Sequence, residues 1–191
     1  MAATRLIAMH INKGQTAEKS LKNRTEYAKN EEKTEKGELV TAYECNAQIA
    51  DQEFMSARSE YLKNHRANKN DILAYQIRQS FKPGEITPEE ANQVGYETAM
   101  RFTKGNHAFI VATHTDKAHI HNHIIFNSVN LNCDRKFRDF LFSAIALQKV
   151  SDLVCLEHGL SVIQQKKPSE RVKRTTYPKR ESYREIGRAH V

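Results

Sequence analysis

A stretch rich in histidine lies between two apolar runs in the second half of the chain. It covers residues 114–127 and holds four histidines, at positions 114, 119, 121 and 123. The apolar runs, 108–112 and 124–126, are β-branched and aromatic, which predicts strands. Alternate side chains of a strand share one face, so His119, His121 and His123 would point the same way, with His114 added from the neighbouring strand. Neutral imidazole is a common ligand of divalent metals, so the spacing predicts a metal site.

A plainer interpretation of this stretch is a solvated hairpin end that contains many histidines. A single His-x-His pair would favour that interpretation. Three alternating histidines, preceded by a fourth and by Asp116, favour the metal site instead.

Length and composition indicate one soluble globular domain. The chain has 191 residues, of which 39% are hydrophobic and 28% charged, enough for one core. No apolar run is long enough for a membrane span or a signal peptide, so we expect a cytoplasmic protein without membrane insertion. The three cysteines lack CxxC spacing and are expected to be reduced thiols.

The positive charge is concentrated at the C-terminal end. The net charge of +7 favours a polyanionic partner, with nucleic acid ahead of membrane. Nine Lys/Arg and three Glu lie after residue 165. We therefore expect a domain over residues 1–165 and a basic tail over 166–184 that is disordered or loosely helical without a partner. Residues 185–191 look like a translated sequencing adapter, so we expect them to be foreign and to replace a longer natural C-terminal region.

Hydrophobic periodicity predicts the remaining elements and the fold class. Predicted strands cover residues 5–11, 38–45 and 72–81, and predicted helices cover 16–27, 50–63, 88–102 and 140–158. The order of elements favours an α+β fold, with a mainly antiparallel sheet of about five strands and helices on one face. The histidines would then lie on the open face, and Tyr27 would lie at or near the end of the first helix, which is expected to be short.

Three motifs occur in order along the chain and carry a family resemblance. They are Arg24-Thr25-Glu26-Tyr27 followed by Lys33-Thr34 and Val40-Thr41…Cys45; Gln79-Ser80-Phe81 with Pro83-Gly84; and His114-x-Asp116…His119-x-His121-x-His123 ending in Asn127. With these motifs the chain resembles the relaxase domain of the MobA/MobL type, within the HUH endonuclease superfamily. The resemblance covers residues 5 to 163.

The resemblance implies a nuclease that nicks one strand of plasmid or conjugative-transposon DNA at an origin of transfer. A tyrosine hydroxyl attacks the scissile phosphate, leaving a 5′-phosphotyrosine link and a free 3′-OH. The implied nucleophile is Tyr27, with Tyr43 as the rival. The implied partners are single-stranded origin DNA, an accessory relaxosome protein and a coupling protein.

The resemblance also implies roles for the other motif residues. His114, His121 and His123 are the expected ligands of a divalent metal, Mg²⁺ or Mn²⁺, although imidazole ligands alone suit Zn, Mn or Ni better than Mg. His119 either replaces one ligand or accepts the nucleophile's proton, with Asp116 orienting it. Ser80 is expected to bind a DNA phosphate.

Two other classes of protein remain compatible with these residues. A metal-dependent hydrolase would use the same histidines to activate water and would need no tyrosine. A DNA-binding protein with a degenerate site would bind without cutting.

Overall fold

The computed structural model describes residues 2–66 and 70–163. The predicted basic tail, 166–184, and the suspected foreign end, 185–191, lie outside these residues. Within the two described ranges, no helix has the length and apolar character needed to cross a membrane.

Over the described ranges, the fold is a five-stranded sheet with four helices, as predicted. The strands are β1 (Ala3–His10), β2 (Val40–Tyr43), β3 (Ile72–Ser80), β4 (Phe109–His114) and β5 (His121–Asn127). The helices are α1 (Ala17–Ala28), α2 (Ala50–Asn64), α3 (Pro88–Thr103) and α4 (Ser143–Glu157), with a short 3-10 turn at Ala47–Ile49. The strand order is β1-β3-β5-β4-β2 and every neighbouring pair is antiparallel. The α+β class and the antiparallel sheet are therefore confirmed.

Local side chains set where the helices begin. The Thr16 hydroxyl accepts a hydrogen bond from the Lys19 amide at the start of α1. At the start of α3, Thr87 and Glu90 form a reciprocal capping box, with Pro88 in the first turn. These caps satisfy amides that the helix cannot pair internally, so both starting points could be predicted from the sequence.

The helices cover both faces of the sheet, whereas the sequence pattern placed them on one. Helices α3 and α4 pack on the face that carries Ile124 and Phe126. Helices α1 and α2 pack on the face that carries Ile125, which belongs to a second core cluster with Leu21 and Phe54. The apolar run 124–126 is buried on both sides, so each face needs a cover.

On the second face, β5 begins at His121, four residues before Ile125 of the apolar cluster. Residues His121 and His123 share a face with Ile125 because alternate side chains point the same way. Leu21 of α1 and Phe54 of α2 pack in the cluster around Ile125. The histidines therefore lie at the end of the sheet beyond this apolar cluster.

Candidate metal centre and nucleophile

Three histidines converge where β4 ends and β5 begins. His114 and His121 are directly opposite each other in the antiparallel register, and His123 follows on the same face. One ligand nitrogen from each ring lies within 4.8 Å of the others. Three neutral imidazoles at this spacing can share one divalent ion with little side-chain movement. The antiparallel pairing of β4 with β5 thus brings together the three residues expected to bind metal.

The protein orients each ring through its second nitrogen. Nε2 of His114 donates to the backbone oxygen of Ala28 at 2.8 Å, and Nδ1 of His121 lies 3.4 Å from the backbone oxygen of His119. Nδ1 of His123 lies 2.6 Å from Nε2 of Gln76, and a rotation of this amide by 180° places its acceptor oxygen at the same position. With the amide oxygen as acceptor, Nε2 of His123 is free for a metal. Such contacts fix the tautomer and the direction of metal-binding histidines.

Burial keeps the three imidazoles neutral. Desolvation is the largest influence on all three and lowers the pKa of His114, His121 and His123. For His123 the neighbouring charges of His114 and His121 act in the same direction, and its pKa falls to about 3. A neutral ring keeps the lone pair that a metal requires, so the cluster is ready to bind an ion at neutral pH.

Tyr27 stands beside this cluster at the end of α1. Its side chain is 52% exposed. Its ring centroid lies 5.8 Å from that of His123 and 6.1 Å from that of His114. The hydrogen bond from His114 to the Ala28 carbonyl also ties the helix end to the cluster. The phenol is therefore both accessible and adjacent to the candidate metal ligands.

The rival tyrosine lies elsewhere. Tyr43 packs in the cluster on the opposite face of the sheet, stacked on Phe109 at 5.2 Å between ring centroids. Its hydroxyl donates to the backbone oxygen of Gly105 at 3.3 Å. The sheet separates it from the histidines, so of the two candidate tyrosines only Tyr27 lies beside them.

A lysine that the sequence supplied only as part of a motif lies against Tyr27. The Lys33 Nζ is 4.4 Å from the centre of the Tyr27 ring, a cation–π distance. The same ammonium is 3.8 Å from Oδ2 of Asp116. Asp116 was expected to orient His119, and in the structure its ion pair is with Lys33. The motif included Lys33 but gave it no role, because its contact with Tyr27 depends on the path of the loop after α1.

His119 and Ser80 flank the three-histidine cluster. The spacing placed His119 on a strand, but β5 begins at His121 and His119 lies in the preceding loop. Its ring centroid is 5.3 Å from that of His121, outside the group of three converging ligands. Ser80 on β3 is directly opposite His121 and half-buried. Both side chains are therefore neighbours of the site rather than members of the cluster.

On the other face of the same strands, the alternate residues form a closed hydrogen-bond network. The Thr113 hydroxyl donates to Asn122 Oδ1 at 2.8 Å, and Asn122 Nδ2 donates to Gln79 Oε1 at 3.0 Å. Asn92 of α3 donates to the Thr113 hydroxyl at 3.1 Å. A Cβ on Gly95 would lie 2.5 Å from Asn122 Nδ2, so the close approach of α3 requires glycine there. This network links β4 and β5 to each other, to β3 and to α3 on the face opposite the histidines.

With fold and site defined, comparison with known proteins identifies the family. Residues 27–160 match the model of the relaxase family described as MobA/VirD2-like, nuclease domain. The chain therefore belongs to the MobA/VirD2-like relaxases, which agrees with the resemblance inferred from its motifs.

Two named relatives match most of this chain. The protein rlx of Staphylococcus aureus is 40% identical over 129 residues, covering 68% of this chain and 39% of the relative. The group II intron-interrupted relaxase LtrB of Lactococcus lactis subsp. cremoris, strain MG1363, is 32% identical over 129 residues, covering 60% of this chain and 23% of the relative. The chain thus spans less than two fifths of the length of these relatives.

A solved structure shares the fold. The MobM relaxase domain, in a Mn-bound crystal structure with plasmid pMV158 oriT DNA, matches with a TM-score of 0.62 and 11% identity. The match covers 96% of this chain and 98% of that one. At this identity the similarity establishes the common architecture alone.

Proposed function

We propose that this protein nicks one strand of DNA at an origin of transfer on a plasmid or conjugative transposon, with Tyr27 as nucleophile. The family membership supports the class of reaction. The single observation that carries the assignment is the position of the exposed Tyr27 ring 5.8 Å from His123, at the edge of a buried cluster of three neutral histidines.

In the proposed reaction, the phenolic oxygen of Tyr27 attacks the phosphorus of one phosphodiester. The new O–P bond forms while the bond from phosphorus to the 3′ oxygen breaks. The 5′ side remains on the tyrosine, and the 3′ oxygen leaves and takes up a proton. Because the phosphodiester is exchanged rather than hydrolysed, the 3′-OH can later attack the phosphotyrosine and restore the strand.

His114, His121 and His123 are the proposed ligands of a divalent metal, Mn²⁺ or Mg²⁺. The donor set fits, since all three rings are buried, neutral and oriented by a second hydrogen bond. When bound, such an ion neutralises charge on the non-bridging phosphate oxygens and holds the group for in-line attack.

The surrounding residues have supporting roles in this proposal. Lys33 adds positive charge beside the Tyr27 ring, and Asp116 holds that ammonium. The Tyr27 phenol must lose its proton, because the attacking oxygen keeps no proton once the phosphotyrosine bond has formed. His119 either accepts this proton or serves as a further ligand, and Ser80 binds a phosphate next to His121. An accessory relaxosome protein, a coupling protein, a cytoplasmic location and a nuclease domain over residues 1–165 complete the proposal.

The test is formation of a covalent adduct on single-stranded oligonucleotides that carry candidate origins. The protein is incubated with Mn²⁺ or with EDTA and run on a denaturing gel. We expect a slower-migrating adduct with Mn²⁺ that is absent with EDTA and absent in Tyr27→Phe. Tyr43→Phe is the matched control, since its hydroxyl lies on the opposite face and its loss should leave the adduct in place.

Two outcomes would point to the alternatives. Metal-dependent cleavage that leaves no adduct and persists in Tyr27→Phe would indicate a hydrolase that activates water. Binding of origin DNA without any metal-dependent cleavage, over a panel of origins from related elements, would indicate a protein that only binds.

A further inference from the structure

Two arginines face each other on the open part of the histidine face. In the antiparallel pairing of β1 with β3, Arg5 is directly opposite Arg78. In the pairing of β3 with β5, Arg78 is directly opposite His123. Directly paired residues point to the same face of a sheet, so the two guanidinium groups and the imidazole form one row across three strands. Neighbouring strands are ~4.8 Å apart, so this row extends about 10 Å from the candidate metal ligand.

The arrangement is unfavourable for the protein alone. Like charges directly opposite each other in a sheet repel, and natural sheets usually place an acid there. Both arginines are exposed, and within residues 2–66 and 70–163 neither has a carboxylate within ion-pair distance. Among the described residues, the charge pair is thus left without an anion.

The next row of side chains toward the metal cluster is small on β1 and β3. The adjacent cross-strand row, on the side of the cluster, pairs Ala3 with Ser80 and Ser80 with His121. Alanine and serine are small, so no large side chain of that row stands between the guanidinium groups and the histidines. Leu21 of α1 and Phe54 of α2 pack around Ile125, toward the other end of this face.

We propose that Arg5 and Arg78 form a phosphate-binding subsite for single-stranded DNA next to the scissile phosphate, so that the strand runs from the histidines across β3 to the edge strand β1. The DNA backbone supplies the anions that the arginine pair lacks. This inference rests on the proposed function for the identity of the polyanion and adds the direction in which the strand leaves the site.

The experiment measures binding without cleavage. The Tyr27→Phe protein in EDTA is titrated against a labelled single strand of about 30 nucleotides and mixed sequence, at several salt concentrations. Each phosphate contact on a single strand contributes about 0.7 to the slope of log K against log salt. For Arg5→Gln with Arg78→Gln we therefore expect the slope to fall by about 1.4, and binding at about 0.1 M salt to weaken roughly 25-fold.

The control removes two positive charges elsewhere. Lys149 is exposed on α4, on the other side of the sheet, and Arg135 lies in an exposed loop beyond the far end of β5. We expect Lys149→Gln with Arg135→Gln to keep the parent slope. The Arg5/Arg78 variant should also melt at the same temperature as the parent or slightly higher, because a repulsive pair has been removed.

Each result decides between the inference and its alternatives. A single methylphosphonate linkage scanned along the strand should weaken binding by the parent at one or two positions, and should have no effect there on the Arg5/Arg78 variant. Binding of that variant within twofold of the parent, or equal losses in the control, would overturn the subsite while leaving the proposed function intact. A parent protein that binds no single strand at any salt concentration would overturn both.

Discussion

The two faces of the β4–β5 hairpin satisfy their polar side chains in opposite ways. On one face, His114, His121 and His123 each use one ring nitrogen to contact the protein, and one nitrogen of each ring lies within 4.8 Å of the others. On the opposite face, Thr113 and Asn122 have their side chains paired within the protein. Both sets are buried.

The two faces therefore have different roles. The paired side chains position the strands, and the histidines form the candidate ligand-binding site. A buried polar group without a partner costs free energy, so a closed network stabilises the fold and an open cluster indicates a missing partner. The two sets alternate along the same strands. The hydrogen-bond network on one face therefore fixes the strand register that brings the histidines together on the other face. Substitutions on the two faces should therefore affect different quantities.

The largest effect is expected on the open face. Replacing His123 by Ala should weaken Mn²⁺ binding, measured by titration calorimetry, by more than the roughly 100-fold typical of outer-shell changes. His119→Ala is the control, and we expect it to cost less than about tenfold because His119 lies outside the converging group. Equal losses in the two variants would make His119 a ligand and remove the distinction between cluster and neighbour.

The opposite face should lose stability instead. Asn122→Leu leaves the Gln79 and Thr113 side chains without their shared partner, which should lower the free energy of unfolding by about 3 kcal/mol. Urea denaturation in EDTA measures this loss, with the exposed Asn132→Leu as a control expected within about 0.5 kcal/mol of the parent. An Asn122→Leu protein of parental stability would show that the network does not hold the strands.

Gln76 is the residue that links packing to ligand orientation. Gln76→Leu should lower Mn²⁺ affinity about 10- to 100-fold by removing the contact to His123 Nδ1. Gln76→Glu should restore or raise the affinity, since a carboxylate accepts the Nδ1 proton and makes the ring a better ligand. If both variants bind Mn²⁺ as the parent does, the amide has no part in orienting His123.

The smallest effect over a single pH unit is a dependence of stability on pH. Folding lowers the pKa of His123 to about 3, while in the unfolded chain the ring titrates near 6.5. Below about pH 6 the unfolded chain binds the extra proton, so the free energy of unfolding in EDTA should fall with a slope approaching about 1.4 kcal/mol per pH unit for this ring. Above pH ~6.5 this contribution is complete and flat.

Denaturation at several pH values checks this expectation against His123→Gln, which lacks the titrating ring. The variant should show a shallower decline between neutral and acid pH. Identical slopes in parent and variant would mean that His123 does not stay neutral when folded.

The sequence was sufficient for the elements. Alternation of apolar residues and the Thr87 cap are local signals, and they predicted the five strands and four helices of the described residues. The spacing indicated four histidines as candidate ligands, and the family resemblance selected His114, His121 and His123. The family resemblance, rather than any periodicity, singled out Tyr27. Position within the helix then predicted only that this residue would lie near the end of α1.

Features that depend on register could not be predicted. The pairing of Arg5 with Arg78 and the contact of Gln76 with His123 join residues far apart in the chain. Lys33 is only six residues from Tyr27, but its contact depends on the path of the loop after α1. His119 shows the limit of spacing alone, because a third alternating histidine extended the pattern beyond the point where the strand begins.

The most direct test of Tyr27 as the nucleophile is to locate the covalent bond on the protein. The DNA adduct formed with Mn²⁺ is treated with nuclease and trypsin, and the modified peptide is sequenced by mass spectrometry. Trypsin releases Tyr27 in the peptide covering residues 25–29, separate from the peptide that contains Tyr43. We expect a nucleotide phosphate on Tyr27. The same modification on Tyr43, or on a histidine, would contradict it.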